Sequence, residues 1–397
     1  MRLSTANSYE AAIANLQRRQ VEMAESQMQL TSGKRVNRAS DDPTAAARAE
    51  RALALEMRST ASQRAVDASR NAMLLGEAAL GDAGELLQQA REKLVAAGNA
   101  TYSDGERRSL ALSLRETRKQ LFAIANRADG AGGYLFAGQG SSNPPFVDTP
   151  TGVEFRGAGG QIDVASGESL PVTLDGPATW LQARTGNGVF STRAVQQNGS
   201  AWVDTGRVSD PAALTGDPYT VSFTVNAGVT TYTVLRDGNP TAFTDVPYAS
   251  GLAIEVDGLS FTVTGVPADG DAFAVEPSTA TLNVFAVLDD AAAALEAPLL
   301  NNGQITQAVS GSIRDIDAAL GRMQGQRALA GETLNRIDGI ENRLAALKLG
   351  AQTERSAAED LDMVEAISRF QNQQSGYDAA LKSYSMVQRL SLFEYIG

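Results

Sequence analysis

The 397-residue sequence contains neither cysteine nor histidine. Without cysteine the chain can form no disulfide bridge and no thiolate metal site. Without histidine it lacks the commonest general base, the commonest ligand of transition metals and every catalytic triad built on imidazole. We therefore predict that the protein is not an enzyme and that it has no catalytic residues, no cofactor site and no metal site.

Long apolar runs are also absent. No run in the sequence approaches the roughly 20 apolar residues that a bilayer-crossing helix needs. The first residues, MRLSTAN, lack the apolar block of a secretory signal peptide. We expect no membrane partner, and we expect that export, if it occurs, follows a route that cleaves no such signal.

Basic residues are scarce in the middle of the chain. Of the net charge of −12, a balance of −10 lies between Phe136 and Ala280, which hold fifteen acidic side chains, five arginines and no lysine. This acidity argues against nucleic acid as a partner. The two ends differ in sign: residues 1–40 carry six basic and three acidic side chains (+3), and residues 358–397 carry three and six (−3). Opposite signs favour pairing of the ends, although exposed ion pairs contribute only about 0–1 kcal/mol each.

What the chain does contain is a matching pair of apolar stripes at its two ends, each with alternating steps of four and three residues. The C-terminal stripe consists of Met363, Ile367, Phe370, Gln374, Tyr377, Leu381 and Tyr384. The N-terminal stripe consists of Tyr9, Ile13, Leu16, Gln20, Met23, Gln27 and Leu30. One helix cannot bury such a stripe by itself. We therefore predict that the terminal helices pair with each other or with copies of themselves, and that the apolar members form an assembly interface.

Between the ends, helical patterns flank a region rich in glycine, threonine and valine. The pattern predicts helices from Pro43 to about residue 100, from Ser103 to about residue 128, and again from about Thr281. Alternating residues predict a hairpin of 220–225 with 230–235, a second hairpin around Asp257-Gly258 and a strand at 272–275.

The predicted fold class is α+β: an elongated rod of long terminal coiled-coil helices and an antiparallel helical bundle, with a β-rich domain inserted mid-chain. The expected domains are a terminal coiled coil (1–40 with 358–397), a helical bundle (41–136 with 281–357) and a β-rich outer domain (137–280). Whether the insert is one domain or two stays open at this point.

Three segments carry a family resemblance. LTSGKRVNRASDDP at residues 30–43 resembles the N-terminal signature of bacterial flagellins and their relatives, and residues 341–344 with the last forty are similar to their C-terminal half. GYLFAG at 133–138, PPF at 144–146 and GVPADGDAF at 265–273 resemble the hook-associated branches of that superfamily, the first two resembling the hook-associated protein 3 branch. The matching signature residues are Gly33, Asn37, Asp41, Asp42, Pro43, Tyr134, Phe136, Gly138, Pro145 and Phe146.

The resemblance implies a structural axial protein of the bacterial flagellum, secreted through the flagellar type III apparatus and located outside the cell at the hook–filament junction. It implies a ring of copies between the first hook-associated protein and flagellin. It also implies an export chaperone that binds the C-terminal helix, and paired terminal helices that form the inner tube.

Three alternatives remain at this point. The nearest is a flagellin that forms the filament itself, and a non-flagellar coiled-coil adhesin or receptor is more distant. The third is a secreted enzyme with its site in the β insert. For that enzyme, the glycines at 157–160 favour a turn over a phosphate loop, Asp269 and Asp271 favour a hairpin turn over a calcium site, and Asp41 and Asp42 favour a helix cap over paired catalytic carboxylates.

Overall fold

The computed structural model describes residues 5–99, 101–138, 143–158, 161–165 and 168–396, with side chains for 10–99, 101–138, 143–158 and 168–386. The helices are α1 (Thr5–Ser32), α2 (Pro43–Ala97), α3 (Asp104–Ala125), α4 (Gly176–Trp180), α5 (Val284–Glu296), α6 (Asn302–Glu359) and α7 (Met363–Ile396), with a 3₁₀ turn at Pro211–Ala213. The strands are β1 (Phe146–Thr149), β2 (Gly152–Phe155), β3 (Gln161–Ala165), β4 (Glu168–Pro171), β5 (Phe190–Gln196), β6 (Trp202–Val203), β7 (Arg207–Val208), β8 (Tyr219–Asn226), β9 (Val229–Arg236), β10 (Asn239–Pro240), β11 (Val246–Pro247), β12 (Ala253–Val256), β13 (Leu259–Thr264) and β14 (Ala272–Pro277).

The contacts divide the chain into two compact units. One unit combines residues 1–64 with 340–397, and the other comprises residues 65–339. Long helices at both ends and a β-rich middle confirm the predicted α+β class. The three-domain division made from the sequence uses other boundaries and stays a prediction.

The second unit contains a helical layer in which α3 begins where the sequence predicts. Ser103 caps α3 in a capping box, in which its hydroxyl accepts from the N–H of Glu106 and the Glu106 carboxylate accepts from the N–H of Ser103. Helix α3 packs against α5. Ion pairs join α2 to α6 at Arg91–Asp317, where Nε and Oδ1 are 2.7 Å apart, and also at Arg70–Asp338 and at Arg327–Glu77.

Arg118 of α3 links three parts of this unit. Its guanidinium donates to Asp148 at 2.7 and 2.9 Å and to Asp289 at 2.6 Å. It also lies 6.0 Å from the centre of the Phe285 ring. The hydrogen bonds from Arg118 hold the pKa of Asp148 below its usual value.

We predict that acid destabilises this unit through such pairs. A carboxylate whose pKa is lowered on folding contributes stability above its unfolded pKa, and that contribution is lost as the pH falls through its folded pKa. Thermal unfolding should therefore shift to lower temperature below about pH 4. Asp148→Asn should be destabilising at pH 7, by less than about 1 kcal/mol because the Asp148 side chain is 47% exposed, and close to neutral at pH 3. An equal effect of Asp148→Asn at both pH values would contradict the prediction.

Residues 183–280 form the larger part of the β insert, which we call the β domain. Its first sheet runs β10-β9-β8-β14-β5, with β11 also on β9, and its second runs β12-β13-β6, with β7 also on β13. A single apolar core lies among these strands and includes Phe190, Val221, Phe223, Val234, Ile254, Phe261, Val263 and Phe273.

Both predicted hairpins are confirmed. Strands β8 and β9 pair from Tyr219 with Arg236 through to Asn226 with Val229, and β12 and β13 pair Val256 with Leu259. The two-residue turns take positive φ at both positions, 52° and 82° at Ala227-Gly228 and 45° and 79° at Asp257-Gly258. Such turns match the right-handed twist of the flanking strands.

The remaining strands of the insert belong to two separate hairpins, β1–β2 and β3–β4, outside the two main sheets. The predicted helix from about Thr281 is interrupted, since α5 ends at Glu296 and α6 begins at Asn302. Pro298 cannot donate a helical hydrogen bond, and Leu299 takes a positive φ of 61°. Pro298 and the positive φ of Leu299 therefore end the helical conformation between α5 and α6.

Candidate assembly surfaces

The loop after α1 is bonded to the short segment between α6 and α7. We call these two segments, residues 33–42 and residues 358–362, the clasp. Their backbones form an antiparallel β-bridge between Lys34 and Asp360. The Nζ of Lys34 also lies 3.0 Å from a carboxylate oxygen of Glu359. The clasp thus connects stretches more than three hundred residues apart in the chain.

Arg35 is at the centre of the clasp. Its backbone N–H donates to the carbonyl of Glu359 at 2.7 Å, and its guanidinium donates to the carbonyl of Ala358 at 2.8 Å. The N–H of Leu361 donates to the carbonyl of Gly33 at 3.0 Å. Gly33 has φ +69°, a conformation that glycine adopts without the strain of a Cβ.

Asp41 closes the loop of the clasp on itself. Its Oδ2 accepts from the N–H of Asn37 at 3.0 Å and from the N–H of Arg38 at 2.8 Å. The side-chain amide of Asn37 donates to the carbonyl of Lys34 at 3.2 Å. Asp41 and Asn37 are therefore structural residues of the loop, and these backbone contacts account for their presence without any catalytic role.

Asp42 caps α2, as the sequence predicts. Its Oδ1 accepts from the N–H groups of Thr44 at 3.1 Å and Ala45 at 2.9 Å, and Pro43 takes the first helical position. The hydrogen bond from Ala45 and that from Arg35 lower the pKa of Asp42. Its capping contribution is consequently present at neutral pH and lost in strong acid.

We predict that Asp41→Ala opens the clasp loop. The substitution leaves two backbone N–H groups without their acceptor, which weakens the fold of the loop around Arg35 and Arg38. Trypsin should then cleave after these arginines several times faster than in the unsubstituted chain. Glu50→Ala, at an exposed position on α2, removes the same charge and serves as the control. Equal cleavage rates in the two variants would contradict the role assigned to Asp41.

Helices α1 and α7 pack against each other. Helix α1 leads into the clasp and α7 leads out of it, so the two helices run antiparallel. They approach closely at Gly376, where a Cβ atom would lie 2.6 Å from Nη1 of Arg19. Ser26 of α1 and Ala366 of α7 are buried in this unit. The predicted stripe residues that are half-buried are Leu16, Met23, Leu30, Phe370, Tyr377 and Tyr384.

The other stripe residues remain exposed in the single chain. Ile13 is 42% exposed, Ile367 45%, Leu381 41% and Met363 45%. At 3.6 residues per turn, these residues lie about 60–100° away from the face that each helix turns to the other. Because the helices are antiparallel, both sets lie on the same side of the pair, and we call this surface the open apolar face. The side chain of Tyr9 lies outside the described residues.

The Tyr134–Phe146 signature builds a buried aromatic cluster. Phe136 lies 5.4 Å from Trp180 and Phe146 lies 6.1 Å from Phe285, ring centre to ring centre, while Trp180 stacks on Phe285 at 5.7 Å. Pro145 is buried beside Phe146. These residues hold the β1–β2 hairpin and α4 against the helices, so their role in the single chain is packing.

The two remaining members of this signature shape the backbone. Tyr134 is half-buried and forms a β-bridge with Ala128. Gly138 has φ +78° and bridges to Ala158. Of the glycines predicted to form a turn at 157–160, Gly157 leaves no room for a side chain, because a Cβ there would lie 2.4 Å from the carbonyl oxygen of Ala137. Residues 159 and 160 lie outside the described residues.

The 265–273 motif owes its structure to Asp271, which is fully buried. Its carboxylate accepts from the N–H groups of Asn198 at 2.6 Å, Gly199 at 3.0 Å and Ala268 at 2.8 Å. Asp269 is exposed and accepts from the N–H of Val225 at 2.9 Å. The two carboxylates therefore stabilise the turn at this motif and the loops beside it. This agrees with the sequence, which favours a turn here over a calcium site.

Within the described residues, no group of three or more acidic side chains is arranged to hold a metal ion. Nor is any helix in that part of the chain long and apolar enough to cross a membrane.

The sequence reading missed the residues that join the two chain halves. Arg35 and Ala358 meet through a side chain and a backbone carbonyl, a contact that no periodic pattern reveals. Val36 is buried with Ala45, Ala49 and Ala358. Val36 is the one large apolar residue in a polar loop, and this position could have indicated from the sequence that it is buried against another part of the chain.

Comparison with known proteins gives the following similarities. The family described as "Bacterial flagellin N-terminal helical region" matches residues 3–141. The family described as "Flagellar hook-associated protein 1, D2-like domain" matches residues 193–277, almost the span of the β domain. Flagellar hook-associated protein 3 of Salmonella typhimurium is 27% identical over 398 residues, which cover 99% of this chain and 99% of that protein.

Two solved structures have a similar fold. The crystal structure of Xanthomonas campestris FlgL in space group C2 is 28% identical, with a TM-score of 0.70 over 78% of this chain and 99% of that chain. The flagellar hook associated protein-3 of Legionella pneumophila is 24% identical, with a TM-score of 0.72 over 77% and 97% of the two chains.

Proposed function

Because this chain is a relative of flagellar hook-associated protein 3 within the flagellin superfamily, we propose that it joins the hook of the bacterial flagellum to the flagellin filament. It is a structural protein of the flagellum with an extracellular location. The observation that carries the proposal is the similarity over 99% of both chains to flagellar hook-associated protein 3.

In the proposed assembly the paired terminal helices line the inner tube. The open apolar face of Ile13, Met363, Ile367 and Leu381 supports this, because a large apolar surface left in water favours association. Copies of the chain form a ring through these helices, between the first hook-associated protein and flagellin. Before export, a chaperone covers the same residues of α7.

The proposal assigns no reaction to the protein and needs no cofactor. In the signature segments, Asp41, Asp42 and Asp271 all accept hydrogen bonds from backbone N–H groups. Their carboxylates are thereby committed to loop and helix structure.

The test is location on isolated flagella. Since the chain has no cysteine, Asn239→Cys at an exposed position of β10 in the β domain provides one attachment point for a maleimide–gold label. A single band at the distal end of the hook is the expected result, and cells with the unsubstituted chain provide the background.

Labelling along the whole shaft would instead favour the flagellin alternative. A second measurement separates the two functions independently. Purified flagellin should grow into filaments from a seed, whereas a junction protein should add a limited layer and stop. Continuous seeded growth of this chain would overturn the junction assignment.

A further inference from the structure

The break between α6 and α7 is explained only in part by the residues at the break. Helix α6 ends at Glu359 and α7 begins at Met363. No glycine or proline occurs between Gly350 and Gly376. Asp360 and Asp362 are weak helix formers, but each disfavours a helix less than glycine or proline does. By local sequence alone, the two helices could be continuous.

The clasp occupies the backbone groups that a continuous helix would use. In an unbroken helix the carbonyl of Glu359 would accept from the N–H four residues later. Here it accepts from the N–H of Arg35 at 2.7 Å and from that of Val36 at 3.4 Å. The carbonyl of Ala358 is taken in the same way by the Arg35 guanidinium, at 2.8 Å.

A donor is diverted as well. The N–H of Leu361, which a continuous helix would direct to the carbonyl of Ala357, donates to the carbonyl of Gly33 at 3.0 Å. On the other side of the break, Asp362 caps the new helix start, its Oδ1 accepting from the N–H of Val364 at 3.0 Å. Two sets of hydrogen bonds thus compete for the same atoms.

We propose that residues 33–36 act as a conformational switch for the C-terminal helix. With this segment docked, α6 ends and α7 starts anew after the cap. With it undocked, the freed carbonyls and N–H groups pair within the chain, and α6 and α7 merge into one continuous helix. The N-terminal segment therefore decides whether α7 is a separate element, and it couples the two ends of the protein before any neighbour is bound.

The test weakens the docked state in the full-length chain and follows amide hydrogen exchange. Gly33→Val introduces a β-branched residue at φ +69°, which is strongly disfavoured, and Arg35→Ala removes the guanidinium bond to Ala358. In the double variant, peptides covering 33–38 should exchange faster, which reports undocking. Peptides covering 359–366 should exchange more slowly, by about fivefold for each amide that gains a net backbone hydrogen bond.

The sign of the second change is decisive. If the clasp only held the two segments together, its release would leave the amide exchange rate of residues 359–366 unchanged or would increase it. Either result would overturn the switch, and so would a segment 33–38 that stays protected in the double variant.

Met363→Pro provides the locked control. Proline suits the first position of α7, where no helical N–H is required, but it disrupts the interior of a continuous helix. Added to the double variant, it should abolish the gained protection. Added to the unsubstituted chain, it should leave the melting temperature unchanged. Protection that persists in the triple variant would count against a merged helix.

Discussion

Cells that carry Ile367→Asp or Leu381→Asp should be unable to swim, although the variant chain folds normally. Both side chains are close to half exposed on the open apolar face, so a carboxylate there costs the monomer about 1 kcal/mol of lost apolar burial. When a neighbour covers this face, the same carboxylate must be buried without a partner, which costs several kcal/mol. Assembly should therefore fail by orders of magnitude while folding is retained.

The measurement pairs thermal unfolding of the purified monomer with a swimming assay and with recovery of the chain on sheared flagella. Asn372→Asp is the matched control, because it introduces a carboxylate at an exposed site about half a helical turn from the stripe. It should leave swimming intact. Normal motility of the Ile367 and Leu381 variants would refute the proposed role of the open apolar face.

Asp271→Ala should have the largest effect on the stability of the β domain. The carboxylate is fully buried and accepts from three backbone N–H groups, those of Asn198, Gly199 and Ala268. Alanine leaves these part-buried donors without their acceptor, and each costs an amount at the lower end of about 1–3 kcal/mol. The loss should amount to roughly 3 kcal/mol or more, which is a large part of the stability of a small domain.

Denaturant unfolding followed by tryptophan fluorescence reports this loss, because Trp202 lies in β6 of the same domain. Asp269→Ala removes a carboxylate two positions away that is exposed and accepts from one N–H. It should cost less than about 1.5 kcal/mol. If both variants shifted the midpoint equally, the hydrogen-bond account of the motif would be wrong.

Elements specified by near neighbours in the sequence were predictable. The β8–β9 hairpin follows from alternation on both sides of Ala227-Gly228, and the start of α2 follows from Asp42-Pro43. In each case the stabilising contacts join residues a few positions apart. That α1 pairs with another helix was predictable, because an apolar stripe on a single helix can be buried only against a partner, and α7 carries a stripe with the same spacing.

The exact face on which the terminal helices meet was not predictable. The heptad stripe treats Phe370 and Ile367 alike, yet the first is half-buried and the second remains exposed. The contact of Arg19 with Gly376, where a Cβ would lie 2.6 Å from Nη1, is one that the heptad pattern does not indicate. Likewise, the acidic pair Asp269 and Asp271 looks equivalent in sequence, and only the fold buries one of them.

By itself the sequence determined the starts of α2 and α3, the hairpins, the absence of cysteine and histidine chemistry and the resemblance to flagellar proteins, because each depends on local pattern or on residue type. Only the tertiary structure decided where α6 stops, which stripe residues stay open and which aspartate holds the β domain. Those outcomes depend on hydrogen bonds and contacts between residues tens to hundreds of positions apart, and periodicity carries no information about such distant partners.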